Sequence, residues 1–293
     1  MTSPSLLLKA WGIRPRKSMG QHFLTDPNVG AMILRRGAFD PLDIIVEIGA
    51  GLGALTVPLA LHAKQVLAVE PDRRIALLLK NELLASGVSN VTIIEKDILK
   101  CDIEAMAEAS DRRLTVVGNL PYHISSQVLI LLINSRKFID RAVLMFQKEV
   151  AERLLAKPGS KAYGRLSVLI QYCASIYAMG HVGASSFYPR PKVDSEVVGM
   201  RFLDSIPFPA ANEAFLFEVI RTAFGKRRKM LKNALMSGDL GLGSPQLSEA
   251  LERAHIDPRR RAETLNVEEF VRLANLLETR DGVMVIPETD RGN

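Results

Sequence analysis

The sequence predicts an α/β protein: a parallel-sheet domain over residues 1–205 and a small all-helical domain over residues 206–293. Three observations carry this. Short apolar runs alternate with helical stretches through the first half of the chain. Two further apolar runs follow each other closely near residue 200. The segment 203–211 then breaks the pattern with Pro207 and Pro209, and beyond it only helical spacing is found.

Residues 44–48 (Ile-Ile-Val-Glu-Ile) form the first buried strand, followed at once by glycines. Residues 66–70, 91–95, 114–117 and 141–146 read as four more strands, with helices over 75–84 and 126–133. Alternation of this kind implies right-handed crossovers and a parallel sheet. Residues 171–177 and 197–202 read as two later strands that give the sheet an antiparallel ending. In the second domain, residues 213–224, 228–236, 246–254 and 267–277 have helical spacing, and the last dozen residues read as a loose tail.

Composition narrows the function. Apolar residues make up 47% and charged residues 24%, ordinary values for a globular protein. The run Leu6-Leu7-Leu8 is too short for a secretion signal. The longest apolar stretch, 128–133, is far below the roughly 18 residues of a membrane span. A cytoplasmic, membrane-free protein is therefore expected. Cys101 and Cys173 stand apart with no Cys/His cluster around them, so neither a disulfide framework nor a metal site is expected. The net charge is +6, and the whole surplus falls in residues 1–205. Local clusters are Arg14, Arg16 and Lys17; Arg190 and Lys192; Lys226-Arg227-Arg228-Lys229; and Arg259-Arg260-Arg261. Each suits a phosphate backbone, or equally a solvated face.

The stretch Glu47-Ile48-Gly49-Ala50-Gly51-Leu52-Gly53 lies between a strand and a helix. Glycines allow a sharp turn and a close approach of ligand to backbone. Alone, such a loop could be an ordinary tight turn. Here Glu70 ends the next strand, where a carboxylate can accept both hydroxyls of a ribose. Asp97 follows the third strand and could accept from an adenine amino group. Together they indicate an adenosine-bearing cofactor without separating NAD from S-adenosylmethionine. The glycine spacing differs from G-x-G-x-x-G, which leans away from a dinucleotide.

Asn119-Leu120-Pro121-Tyr122 separates the two cofactors. It follows the fourth strand, above the region where a ligand would lie. An adenine amine is a poor nucleophile because its lone pair is delocalised into the ring. The Asn119 side-chain oxygen and a backbone carbonyl near Pro121 can accept its two N–H groups and align the lone pair. Pro121 stiffens the turn, and Tyr122 offers a flat face for a splayed-out base. Positioning and electrostatics would carry most of the rate. The predicted activity is methyl transfer from S-adenosylmethionine, on a Rossmann-like domain.

These motifs resemble the ribosomal RNA adenine dimethyltransferase family over nearly the whole chain. Gly20-Gln21-His22-Phe23-Leu24 is similar to the family's segment over the cofactor, and 46–53 to its glycine motif. The stretch from Phe187 through Tyr188-Pro189-Arg190-Pro191-Lys192-Val193-Asp194 to Ser195 resembles a family loop whose phenylalanine clamps the target base. Phe224 with Arg227-Arg228-Lys229, and Arg261-Ala262-Glu263 with Leu265, favour the small-subunit branch. The resemblance implies cofactor contacts at His22, Leu24, Gly49, Glu70, Asp97 and Asn119. It also implies catalytic roles for Asn119, Pro121, Tyr122 and Phe187. His22 stands where other members carry Asn, and it keeps a donor and an acceptor. The implied substrate is a pair of adjacent adenosines in a hairpin near the 3′ end of small-subunit (16S) rRNA, within a pre-ribosomal particle. A monomer linked to ribosome biogenesis is the corresponding expectation. The rival readings are a methylase of large-subunit RNA or of DNA, a non-catalytic assembly factor, and a dinucleotide oxidoreductase.

Overall fold

The computed structural model describes residues 3–16, 19–226, 228–238 and 240–278. Lys17, Arg227 and the expected tail lie outside the described residues. The chain divides into two compact units: residues 1–155 with 173–204, and residues 156–172 with 205–293. The second unit thus includes a stretch, 156–172, that the sequence reading assigned to the first domain.

In chain order the first unit holds α1 (Pro4–Ala10), β1 (Phe23–Leu24), α2 (Pro27–Arg36), β2 (Ile44–Ile48), α3 (Thr56–Ala60), β3 (Gln65–Val69) and α4 (Arg73–Ala85). It continues with β4 (Val91–Ile94), α5 (Ile103–Glu108), β5 (Leu114–Asn119), α6 (Ser125–Asn134), β6 (Ile139–Gln147) and α7 (Lys148–Leu155). Helix α8 (Arg165–Cys173) leads into β7 (Ala174–Val182), followed by β8 (Phe187–Tyr188) and β9 (Ser195–Phe202). The second unit is helical, with α9 (Glu213–Gly225), α10 (Leu231–Met236), α11 (Ser244–Arg253) and α12 (Val267–Glu278).

Seven strands form one sheet in the order β4-β3-β2-β5-β6-β9-β7. The strands from β4 to β6 run parallel, and β9 and β7 close the sheet antiparallel. Parallel strands buried on both faces explain the near-continuous apolar runs of the sequence. The chain leaves β2 for β3 and β4 on one side and returns to β5 on the other. Ligands of open α/β sheets gather at such a switch, beyond the carboxyl ends of the strands. Gly118 lies opposite Ile48 across it, and a Cβ there would come 2.7 Å from the Ile48 carbonyl oxygen. The close approach of β5 to β2 therefore requires glycine just before Asn119.

One expectation is corrected. Residues 171–177 are not one strand: α8 runs to Cys173 and the strand begins at Ala174. Leu166, Val168, Leu169, Ile170, Tyr172 and Cys173 are all buried, so the helix has no polar stripe to betray its period. The segment 187–195 contains a short strand, β8, which pairs with β1 in a separate two-stranded ribbon. Among the described residues no helix is long and apolar enough to cross a membrane, and no cluster could hold a metal ion.

Candidate active site

A cleft opens at the switch between β2 and β5. Its wall includes His22, Leu24, Glu47, Gly49, Gly51, Glu70, Asn119, Leu120, Pro121 and Tyr122. Seven of these were sequence candidates, drawn from four separate stretches of the chain.

The glycine loop forms the floor. Gly49 has φ +73°, a region that L side chains rarely adopt, and a Cβ there would sit 3.6 Å from the Asn119 carbonyl oxygen. Its N–H and that of Ala50 both donate to the Val69 carbonyl, which fixes the loop against the end of β3. Glu70 follows directly. Its Oε2 accepts from the Gly51 N–H and its Oε1 from the Asp72 N–H, each at 3.0 Å. Each oxygen keeps a lone pair for a ligand hydroxyl. Burial pushes the Glu70 carboxyl up to about 7, against the pull of these two N–H groups.

The opposite wall is the Asn119 corner. Asn119 ends β5, and its Nδ2 donates to the His22 carbonyl at 2.9 Å. Leu120 N–H donates to the Met145 carbonyl, and the Ile124 N–H donates to the Pro121 carbonyl at 3.1 Å. The Leu120 carbonyl accepts from no described residue. The Tyr122 hydroxyl lies 2.9 Å from Ser195 Oγ, and burial pushes its pKa up. The rings of His22 and Tyr122 stack with centroids 5.7 Å apart and planes 26° apart. His22 Nδ1 lies 2.7 Å from the Pro189 carbonyl, which ties the β1 approach to the loop after β8.

Two candidates are not brought to this wall. Phe187 is 4% exposed and packs in the core on the inward face of β8, while the exposed ring of that strand is Tyr188. Alternation along a strand decides this, and the sequence motif alone does not carry it. Asp97 stands outside the cleft wall, where its Oδ1 accepts from the Leu99 N–H and caps a short 3-10 turn.

Three residues were missed. Glu47 was read as part of a strand, yet it is 2% exposed, lines the cleft, and leaves Oε2 without a hydrogen-bond partner. Burial and the charge of Glu70 push its carboxyl up to about 8, although the Thr56 hydroxyl nearby acts the other way. Ser195 is the buried partner of the Tyr122 hydroxyl. Asp72 accepts from Arg74 and from Gln21 Nε2, and the Arg74 guanidinium holds it down to about 2. An acid followed by two arginines at a strand–helix junction was a readable cap signal. In the second unit, Glu218 is engaged by Arg221 within α9.

The sheet order, the glycine loop beside a buried acid and the Asn119 corner define a Rossmann-like methyltransferase. The family model for ribosomal RNA adenine dimethylase matches residues 12–279, and the chain belongs to that family. It is 46% identical to the "Ribosomal RNA small subunit methyltransferase A" of Desulforapulum autotrophicum, covering 96% of this chain and 99% of that one. The protein of the same description from Moorella thermoacetica is 43% identical over 93% of this chain and 96% of its own. Among solved structures, a dimethyladenosine transferase from Plasmodium falciparum superimposes with a TM-score of 0.74 at 28% identity, covering 86% of this chain and 96% of that one. The 23S rRNA methyltransferase ErmE shares the fold, with a TM-score of 0.67 at 24% identity over 87% and 99% of the two chains.

Proposed function

We propose that this enzyme transfers methyl groups from S-adenosylmethionine to the exocyclic amines of two adjacent adenosines near the 3′ end of small-subunit rRNA. The observation that carries the reading is the turn of the Asn119 amide. A carbonyl can only accept, so the His22 carbonyl draws the Asn119 nitrogen and leaves Oδ1 to accept from a ligand of the cleft that Asn119 lines.

The residues fit such a cofactor. The buried Glu70 carboxylate faces the cleft with lone pairs to spare for the two ribose hydroxyls. The turn at Gly49 lets a ligand lie against the backbone, with Leu24 and His22 above it. Asp97 retains Oδ2 for an adenine amino group. Once bound, the cofactor supplies an electrophilic methyl carbon on a sulfonium. Asn119 Oδ1 and the Leu120 carbonyl accept the two N–H groups of the target amine, the Pro121 carbonyl being engaged already. That draws electron density back to nitrogen and points its lone pair at the carbon. Tyr122 stacks on the extruded base with the ring face away from His22. Phe187 acts from below, packing the β1–β8 ribbon that holds His22. No strong general base is required, because the alkylated amine is acidic. The RNA lies within a pre-ribosomal particle, and the protein acts in the cytoplasm as a monomer.

The test uses purified protein, methyl-labelled S-adenosylmethionine and three acceptors: small-subunit particles lacking the modification, large-subunit particles and duplex DNA. Label should enter only the small-subunit RNA. Label in either other acceptor, or calorimetric binding of NAD in place of S-adenosylmethionine, overturns the reading.

A further inference from the structure

The first 25 residues hold four basic side chains, Lys9, Arg14, Arg16 and Lys17, and no acidic one. The same stretch holds the single tryptophan of the chain, Trp11. Helix α1 buries one face: Leu8 packs with Phe23, Leu52, Ile75 and Leu78, and Leu7 and Ile13 lie against that cluster. Ile75 and Leu78 belong to the first turns of α4, directly after Glu70 and Asp72. The segment is therefore anchored at the carboxyl edge of the sheet, the edge on which the cleft opens. Arg16 reinforces this, lying 3.8 Å from Asp72 while its backbone N–H donates to Gln21 Oε1.

The other face of the segment is not absorbed by the core. Trp11 caps α1 through its N–H to the Leu7 carbonyl at 3.2 Å, and Gly12 turns the chain with φ +63°. The Trp11 backbone is thereby tied into the helix end while the residue stays 48% exposed. Lys9 and Arg14 flank it, both exposed, and neither forms an ion pair with a described residue. A large exposed ring on a capped backbone, with cations two residues before it and three after it and no carboxylate in the first 25 residues, is the chemistry of a stacking platform for nucleic acid.

We propose that Lys9, Trp11 and Arg14 form a second RNA-contact face, distinct from the target-base pocket. The indole of Trp11 stacks on an unpaired base, and Lys9 and Arg14 hold the phosphates on either side. The partner is the single-stranded or looped RNA of the methyl acceptor itself, so the inference rests on the RNA substrate proposed above. An apolar protein partner fits less well, since it would leave two cations unpaired at its rim.

Because the chain has one tryptophan, the difference in emission between the wild-type protein and Trp11→Phe, each mixed with the particle, reports this site alone. Titration of the full-length protein with small-subunit particles should quench that emission to saturation. Trp11→Ala should raise the Kd for the particle about fivefold or more, and Trp11→Phe should largely restore it. Lys9→Ala and Arg14→Ala should each lower the slope of log affinity against log salt by about one unit. S-adenosylmethionine affinity, measured by calorimetry, should be unchanged in all four variants. Particle binding with unaltered emission and wild-type affinity in Trp11→Ala overturns the proposal. So does a quench whose salt slope ignores both cation variants, or loss of cofactor binding in Trp11→Ala, which would make the indole structural. If wild-type protein neither binds nor methylates the particle, the substrate reading fails instead.

Discussion

The side-chain nitrogen of Asn119 donates to the backbone carbonyl of His22 at 2.9 Å, across 97 positions of chain. This bond joins the end of β5 to the segment that leads into β1, two stretches that both line the cleft. It also sets the direction of the amide. The orientation of the Asn119 side chain thus depends on a backbone atom supplied by a segment far away in sequence.

Asn119→Ala should lower the single-turnover methylation rate on the order of 100- to 1000-fold, the usual cost of removing one preorganised polar contact to the reacting group. Asn119→Asp should fail too, since a carboxylate cannot donate to the His22 carbonyl. A rate within a few-fold of wild type in either variant removes the role.

Tyr122 separates ring from hydroxyl. Tyr122→Phe keeps the stacking face but leaves the buried Ser195 hydroxyl without its partner. It should lower stability by about 1–3 kcal/mol while retaining most activity. Tyr122→Ala should lose activity through lost stacking of roughly 1–3 kcal/mol. Thermal melts and single-turnover rates measure the two effects, and equal activity losses would mean that the hydroxyl matters rather than the ring.

Glu70→Ala removes the acceptor proposed for the ribose and frees the N–H groups of Gly51 and Asp72. Losing charge-assisted hydrogen bonds of roughly 1.5–3 kcal/mol should raise the S-adenosylmethionine Kd at least tenfold by calorimetry. Unchanged affinity contradicts the assignment.

Glu47 makes stability depend on pH with a defined sign. Its carboxyl titrates at about 8 in the fold against 4.5 ordinarily, because burial disfavours the charge. The folded state therefore binds the proton more tightly than the unfolded chain. Its contribution is fully present below pH 4.5 and is lost as pH rises through 8. Glu47→Gln, neutral at every pH, should be more stabilising at pH 8 than at pH 5.5. Melting curves at the two pH values test this, and a difference of the opposite sign contradicts the protonated state.

Much of this architecture was legible because its elements obey local rules. Strand β2 was readable to the residue, since a buried parallel strand is apolar at nearly every position and this one must stop at its glycines. Glu70 and Asn119 could be placed at the cleft wall from sequence because both follow or end strands at the switch point. Helix α8 was not, since its apolar residues surround it and erase the period. Phe187 was assigned a clamp role from its motif, but the β1–β8 pairing that turns it inward joins positions 24 and 187. Glu47 escaped notice for a related reason. A carboxylate inside a strand reads as one polar position, and only the fold reveals that it is buried, unpaired and beside a second acid.

The central claim is methylation of adenine amines at the Asn119 corner, and mass spectrometry of digested small-subunit RNA tests it most directly. RNA from cells lacking the protein should lose N6,N6-dimethyladenosine at two adjacent positions. Re-expression of the wild-type chain should restore both, and re-expression of Asn119→Ala should restore neither. Dimethyladenosine that persists without the protein, or returns in full with Asn119→Ala, would contradict the account.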